Sequence, residues 1–296
     1  MKTVYLGTSE FAVTVLRRLA ASDHAPSLVV TRPDRKAGRG QKLQAPPVAD
    51  AARELGIPVF QPDNLSDEDA TATVLAEQAE ALVVCAYGAI VREPLLSSAP
   101  IYNVHPSLLP RWRGAAPIER AIAAGDAETG VSIMQLEAGL DSGPVALQEA
   151  IPIDPADTYG TLAPRLATLG SDLLIRALDE RTPFVDQPGD GITYAEKITA
   201  DDRTLDPAAP AEINERMVRA LSPHIGTRIA LPDGAMLGVH EARLLGPEED
   251  PPVTDDHLLH LDAEPVRLGA LALTRVQPAG GKPMDAASWL RGRGSR

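Results

Sequence analysis

Ile101-Tyr102-Asn103-Val104-His105-Pro106-Ser107-Leu108-Leu109-Pro110 is the stretch whose reading decides the fold. Alternate side chains of an extended segment share one face, so Asn103 and His105 are expected to point into the same cleft. Pro106 disfavours helix at the residue before it, which carries the strand as far as the histidine before the chain turns away. A polar pair closing a largely apolar strand belongs at the rim of an open α/β sheet, where such sheets bind ligands.

The flanking sequence supplies the rest of that sheet. Residues 3–7 read as a first strand, and Ser9 as the cap of a helix running to residue 20. Residues 27–31 give a second strand and 47–55 a helix with proline near its start; 57–60, 81–85 and 101–104 complete a parallel core. Strands at 131–136 and 145–151 flank a loop that carries Asp141, and 159–178 reads as a long closing helix. The alternation predicts a doubly wound, Rossmann-like α/β domain. A linker rich in Asp, Ala and Pro at 201–210 sets expected domains of 1–204 and 205–296. The second holds a helix at 211–221 and short strands at 227–231, 236–239 and 270–276 broken by Gly and Pro, the pattern of a small β-barrel.

The 296 residues bury a full core, and 44% hydrophobic with 23% charged residues fits a soluble globular protein. The longest mostly apolar run, 81–91, falls short of the roughly 18 to 20 residues of a membrane span, and 3–7 is too short for a signal peptide. A cytoplasmic protein without membrane contact is expected, most simply a monomer. Cys85, the single cysteine, sits in an apolar strand and reads as a small buried hydrophobe. A net charge of −13 excludes a protein that coats nucleic acid broadly; any such contact must be local. The basic clusters are Arg32, Arg35, Lys36, Arg39 and Lys42; Arg111 and Arg113 around Trp112; and Arg291, Arg293 and Arg296.

Several other chemistries are set aside. Gly7-Thr8-Ser9-Glu10-Phe11-Ala12 carries one glycine where a dinucleotide fingerprint needs three. His257 and His260 beside Asp255 and Asp256 lack an HExxH or CxxC partner pattern, so an exposed acidic loop is expected and no metal. Ser107 has no Gly-x-Ser-x-Gly elbow. Trp112 suits either stacking on a ring or anchoring the helix that follows it.

Asn103, His105 and the distant Asp141, in Glu137-Ala138-Gly139-Leu140-Asp141-Ser142-Gly143-Pro144, suit transfer of a one-carbon acyl group to an amine. Attack builds a tetrahedral carbon with a developing oxyanion, to which Asn103 and His105 can donate. Asp141 can hold the imidazole in one orientation or assist the departing proton. The amine itself attacks, so no covalent nucleophile is needed.

These residues carry a resemblance. Asn-x-His-Pro-Ser-Leu-Leu-Pro at 103–110 with Leu140-Asp141-Ser142-Gly143 is similar to the folate-dependent formyltransferase superfamily. The runs Leu109-Pro110-Arg111-Trp112-Arg113-Gly114-Ala115-Ala116-Pro117-Ile118 and Thr31-Arg32-Pro33-Asp34-Arg35-Lys36-Ala37-Gly38-Arg39-Gly40 resemble the branch that formylates methionine on initiator tRNA. One departure is Pro106, where many members of that branch have Gly. The resemblance implies catalytic Asn103, His105 and Asp141, 10-formyltetrahydrofolate as cosubstrate with no tightly bound cofactor, and initiator methionyl-tRNA as partner. It implies a folate site at Tyr87, Gly88, Ala89, Ile90, Ser107, Leu108, Leu109, Pro110 and Gly139. Its tRNA contacts fall on Arg35, Lys36, Arg39 and Lys42, and on an OB-like C-terminal domain.

Overall fold

The computed structural model describes residues 1–37, 42–246, 249, 259–261 and 265–293. Arg39, Asp255, Asp256, His257 and Arg296 lie outside the described residues, as does the side chain of His260. The chain divides into two compact units: Met1–Gly114 with Glu128–Ile151 and Ala163–Tyr194, and Ala115–Ala127 with Pro152–Leu162 and Ala195–Arg296.

In chain order the first unit holds β1 (Thr3–Gly7), α1 (Glu10–Ala20), β2 (Pro26–Val30), β3 (Arg35–Ala37), β4 (Lys42–Gln44), α2 (Pro47–Glu54) and β5 (Val59–Phe60). It continues with α3 (Glu68–Ala76), β6 (Ala81–Cys85), α4 (Leu95–Ser98), β7 (Ile101–His105) and β8 (Arg113–Gly114). Past α5 (Pro117–Ala124), which belongs to the second unit, come β9 (Glu128–Gln135), β10 (Val145–Pro152) and most of α6 (Tyr159–Glu180), then β11 (Tyr194–Ala195). The sheet order is β10-β9-β7-β6-β1-β2-β5. β1 runs parallel to β2 and β6, β6 to β7, and β2 to β5, whereas β9 is antiparallel to β7. This is the mixed, parallel-dominated sheet of a Rossmann-like fold.

Period two divides the sheet's side chains between its faces. Val4, Leu6, Val30, Val84 and Ile101 cluster on one face with Val74 of α3 and Leu95 of α4. Tyr5 turns to the other, where its hydroxyl donates to the Ala12 carbonyl of α1 at 2.6 Å. Helix α1 forms because Ala12, Val15, Leu16 and Leu19 fall on one stripe and Ser9 accepts from Ala12 N–H as cap. Each large buried side chain is worth about 2 to 5 kcal/mol against truncation to Ala. Gly170 of α6 lies on Val104 of β7: a Cβ there would stand 2.7 Å from Val104 Cγ1, so only glycine lets helix and strand approach. Burial pushes the Cys85 thiol up to about 12, which leaves it inert inside β6.

The second unit adds α7 (Ala211–Leu221), β12 (Thr227–Ala230), β13 (Met236–Leu244), β14 (Leu259–His260), β15 (Arg267–Leu268), β16 (Leu271–Gln277), β17 (Met284–Asp285) and α8 (Ala286–Arg293). The antiparallel order β12-β13-β16-β15-β14, with β17 on β16, makes a separate curled sheet. Its core joins Val218, Ile229, Leu237, Val239, Leu271, Val276 and Trp289. Several elements go beyond the sequence reading, among them the hairpin β3/β4, helix α3, helix α8, and a β13 that continues past 239 to Leu244.

Within this unit Arg120 of α5 reaches Asp202 at 2.9 Å, and Thr199 gives the same carboxylate a backbone and a hydroxyl hydrogen bond. Burial works against the charge, yet the Thr199 bonds and the Arg120 cation hold Asp202 down at about 2, below the ordinary 3.8. A depressed carboxylate stabilises the fold above the unfolded pKa and stops doing so as pH falls through the folded one. Asp202→Asn should therefore cost on the order of 1 kcal/mol at pH 6 to 7, after solvent screening. The wild-type advantage should vanish between about pH 4 and pH 2. Thermal melts of both proteins across that range check this, and an advantage independent of pH would refute the carboxylate's role.

Candidate active site

β7 is flanked by β6, with Val84 opposite Asn103, and by β9, with Met134 opposite Asn103 and Ser132 opposite His105. The strand's alternation sends Tyr102 against the Phe184 ring and Val104 against α6, which leaves Asn103 and His105 on the opposite face. They are 8% and 4% exposed. The Asn103 carboxamide makes no side-chain hydrogen bond among the described residues, so its donors remain available to a ligand.

His105 is oriented by the backbone. Its Nε2 lies 2.9 Å from the Trp112 carbonyl oxygen. A carbonyl only accepts, so Nε2 carries the hydrogen, and in the neutral ring Nδ1 is the bare lone pair. Nδ1 faces Asp141 Oδ2 at 3.7 Å, beyond hydrogen-bond length but close enough for an ion pair when the ring is protonated. The orienting bond thus comes from Trp112, not from Asp141. Trp112 sits at φ +61°, its N–H donates to Thr193 Oγ1 at 2.9 Å, and its ring carries the Arg111 guanidinium at 4.4 Å.

Asp141 has farther to come than the sequence implies. Because β9 is antiparallel to β7, the loop after it leaves beside Ile101, where Leu136 N–H donates to the Ile101 carbonyl at 2.9 Å. To meet His105 it folds back along β7, roughly 13 Å. Residues 136–141 span at most about 17 Å, so little slack remains. The turn holds Asp141 at φ +45°, a conformation that costs on the order of 1 to 3 kcal/mol outside glycine and that clusters at functional sites. A Cβ on Gly143 would overlap the Gln135 carbonyl oxygen, so the return path needs glycine there.

Two residues absent from the sequence expectations hold this loop. Gln187 Nε2 donates to the Asp141 and Gly143 carbonyls at 2.8 and 2.7 Å, while its Oε1 accepts from Arg113 Nη2 at 2.7 Å and Nε at 3.2 Å. Gly114 N–H donates to Asp141 Oδ2 at 2.7 Å. A carboxamide alone among side chains of this shape donates to carbonyls and accepts from a guanidinium at once. Gln187 stands beside Pro188 and Gly189, where local sequence signals only a turn, and its long-range contacts alone reveal it.

The expected folate residues fall into two sets. In the loop after β6, Tyr87 is buried while Gly88, Ala89 and Ile90 are exposed, Ile90 by 69%. Ala86 turns there at φ +45°. Burial pushes the Tyr87 phenol up, against the Arg32 cation that lowers it. Gly139 is exposed in the Asp141 loop, beside Leu140 at 61%. The second set is framework. Ser107 is fully buried and donates to the Arg111 carbonyl, and Ser132 Oγ joins the Ser107 carbonyl, Leu109 N–H and Gln148. Leu109 is buried, and Leu108 and Pro110 are half-buried.

Arg35, Lys36 and Lys42 are exposed on the β3/β4 hairpin, where Ala37 pairs with Lys42. No group of three or more His, Cys, Asp or Glu among the described residues is placed to hold a metal ion. No helix there is long and apolar enough to cross a membrane.

The sheet rim brings the Asn103 carboxamide, the His105 imidazole and the Asp141 carboxylate together, and the formyl transferase family matches residues 1–178. The methionyl-tRNA formyltransferase of Halorhodospira halophila is 43% identical over 304 residues, covering 99% of this chain and 96% of that protein. That of Dechloromonas aromatica is 43% identical over 299 residues, with the same coverage. The chain belongs to the methionyl-tRNA formyltransferase family. In fold it is similar to the solved methionyl-tRNA formyltransferase from Clostridium thermocellum, with a TM-score of 0.58 and 12% identity over 82% of this chain and 93% of that one.

Gln187→Glu keeps the shape but replaces the two N–H donors with a carboxylate oxygen facing carbonyls. Amide hydrogen exchange across 139–143 should rise about tenfold or more, as expected for losing buried hydrogen bonds worth on the order of 1 to 3 kcal/mol. Unchanged exchange in the variant would show that the loop holds itself.

Proposed function

We propose that this protein transfers the formyl group of 10-formyltetrahydrofolate to the α-amino group of methionyl initiator tRNA, with Asn103, His105 and Asp141 as the reacting set. The observation that carries the mechanism is the commitment of His105 Nε2–H to the Trp112 carbonyl, which makes Nδ1 the ring's working atom. As the amine nitrogen bonds to the formyl carbon, the carbonyl electron pair moves to oxygen. The Asn103 amide donates to that oxyanion, and Nδ1 accepts the proton the nitrogen sheds. The imidazolium so formed stands 3.7 Å from Asp141 Oδ2, whose negative charge favours it. Collapse restores the carbonyl, breaks the bond to the folate nitrogen, and draws the proton from Nδ1 to the leaving group. The exposed Ala89, Ile90 and Gly139, with Gly88, line the donor's side of the cleft in this reading, while 107–110 hold its floor.

The domain of 205–296 and the hairpin cations Arg35, Lys36 and Lys42 serve the RNA, and the cytoplasm, where translation starts, is its place of work. On a chain of net charge −13 the hairpin is a local basic patch suited to phosphates.

Asn103→Ala, His105→Ala and Asp141→Ala should each slow single-turnover transfer by about 10² to 10⁴ without a comparable loss of stability. The assay supplies labelled 10-formyltetrahydrofolate with methionyl initiator tRNA, elongator tRNA and a free amino sugar in parallel. Label on the amino sugar in preference to the initiator would overturn the acceptor assignment, and near-normal rates in all three variants would overturn the roles. Lys36→Ala and Lys42→Ala should each weaken tRNA binding and flatten its logarithmic salt slope by about 1. Slopes equal to wild type would remove the hairpin from the RNA contact.

A further inference from the structure

Thr193, half-buried just before β11, reaches back 81 residues to Trp112 and bonds there through both its hydroxyl and its carbonyl. We propose that Thr193 is a positioning residue for His105: by gripping both peptide units that meet at Trp112 it holds the imidazole in the Nε2–H tautomer. Its bearing on the transfer rests on the reading of Nδ1 as the atom that takes the amine's proton.

The two peptide units on either side of the Trp112 Cα decide where its carbonyl points. The one before it is pinned at each end, with the Arg111 carbonyl accepting from Ser107 Oγ at 2.6 Å and Trp112 N–H donating to Thr193 Oγ1 at 2.9 Å. The one after it is pinned in the same way, with Arg113 N–H donating to the Thr193 carbonyl at 2.9 Å and the Trp112 carbonyl accepting from His105 Nε2 at 2.9 Å. In a trans peptide N–H and C=O point opposite ways, so anchoring the first on Thr193 aims the second at the imidazole. Extended backbone continues the alternation along β8 and turns Gly114 N–H to the carbonyl's side, where it donates to Asp141 Oδ2 at 2.7 Å. One edge of this segment serves the imidazole and the carboxylate; Thr193 holds the other.

A grip is needed because Trp112 sits at φ +61°, a region that bulky side chains rarely adopt and that persists only where the surroundings enforce it. Return to negative φ would turn the two peptide planes against each other and carry the carbonyl away from His105. A neutral imidazole has one N–H, and the acceptor beside the ring decides which nitrogen bears it. With the Trp112 carbonyl in place that nitrogen is Nε2. Without it, Asp141 Oδ2, 3.7 Å from Nδ1, is the acceptor that remains, and the hydrogen moves to Nδ1. The ring would then offer the incoming amine no lone pair at that atom. Ser107 cannot replace Thr193, since it holds only the carbonyl end of the first peptide unit.

The test uses the full chain with Thr193→Val, which keeps the shape and loses the hydroxyl, and Thr193→Ser, which keeps the hydroxyl. Thr193→Ala takes the place of the valine protein if that one does not fold. The ¹⁵N shifts of the His105 ring, recorded where the ring is neutral, show which nitrogen carries the hydrogen, and single-turnover transfer to methionyl-tRNA gives the rate. In Thr193→Val the Nε2–H form should give way to Nδ1–H and the rate should fall about tenfold or more, as expected for one lost hydrogen bond that sets the tautomer. The KM of each substrate should stay within about twofold of wild type, because no contact to substrate is removed. Thr193→Ser should restore both tautomer and rate. An unchanged Nε2–H form in Thr193→Val or Thr193→Ala, or a serine variant as impaired as the valine one, would overturn the positioning role. A tautomer that shifts while transfer keeps its wild-type rate would uphold Thr193's hold on the ring and strike the reading of Nδ1 as base.

Discussion

The hydrogen bond from His105 Nε2 to the Trp112 carbonyl is the constraint around which the site is arranged. It selects the tautomer and sets the ring plane without spending a charged group, since a backbone carbonyl cannot titrate. The carbonyl is itself fixed: Trp112 N–H is held by Thr193 Oγ1, and Arg113 N–H by the Thr193 carbonyl at 2.9 Å. Ser107 secures the preceding Arg111 carbonyl from inside the sheet. The positive φ at Trp112 is the strain of presenting a carbonyl inward, and this surrounding network opposes relaxation.

Asp141 consequently need not align the imidazole, and it faces the ring as a charge at 3.7 Å. Were it the group that aligned the imidazole, it would need to stand within about 3.2 Å of Nδ1, where it would also block an incoming substrate atom. At 3.7 Å, with one oxygen satisfied by Gly114 N–H, it keeps its field on the ring while Nδ1 stays approachable. The arrangement depends on a loop that doubles back along an antiparallel neighbour, and the clamp by Gln187 and Arg113 makes that path rigid. Arg113 is only 8% exposed, and the neutral carboxamide between it and the loop keeps its charge from bonding to Asp141 directly.

Local rules made much of this legible. Period two placed Asn103 and His105 on one face, Pro106 marked the end of β7, and Ser9 marked the start of α1. Helix α3 escaped notice because Glu68–Ala76 buries only Ala70, Thr71 and Val74 and shows little amphipathic contrast. The β3/β4 hairpin escaped because its strands are three residues each and carry Arg35, Lys36 and Lys42 on the exposed surface, too short and too polar for alternation to betray a strand. Gln187 and Thr193 act across more than forty residues of sequence, where neither periodicity nor propensity reaches. Ser107 shows what a motif leaves out: its hydroxyl is fully buried and bonds to the Arg111 carbonyl, a contact that no pattern of the sequence announces.

Charge is divided along the rim of the first unit. The rim holds Asp141 near β7, whereas Arg32, Arg35, Lys36 and Lys42 gather beyond β1 and on the hairpin that follows β2. The rim is therefore negative beside His105 and positive at the end beyond β1. On a chain of net charge −13, which repels polyanions at long range, this basic end is a local exception in the field. The sheet's strand order sets this spacing: β7 and β1 are separated by β6 alone, and that one intervening strand fixes the distance between the two signs.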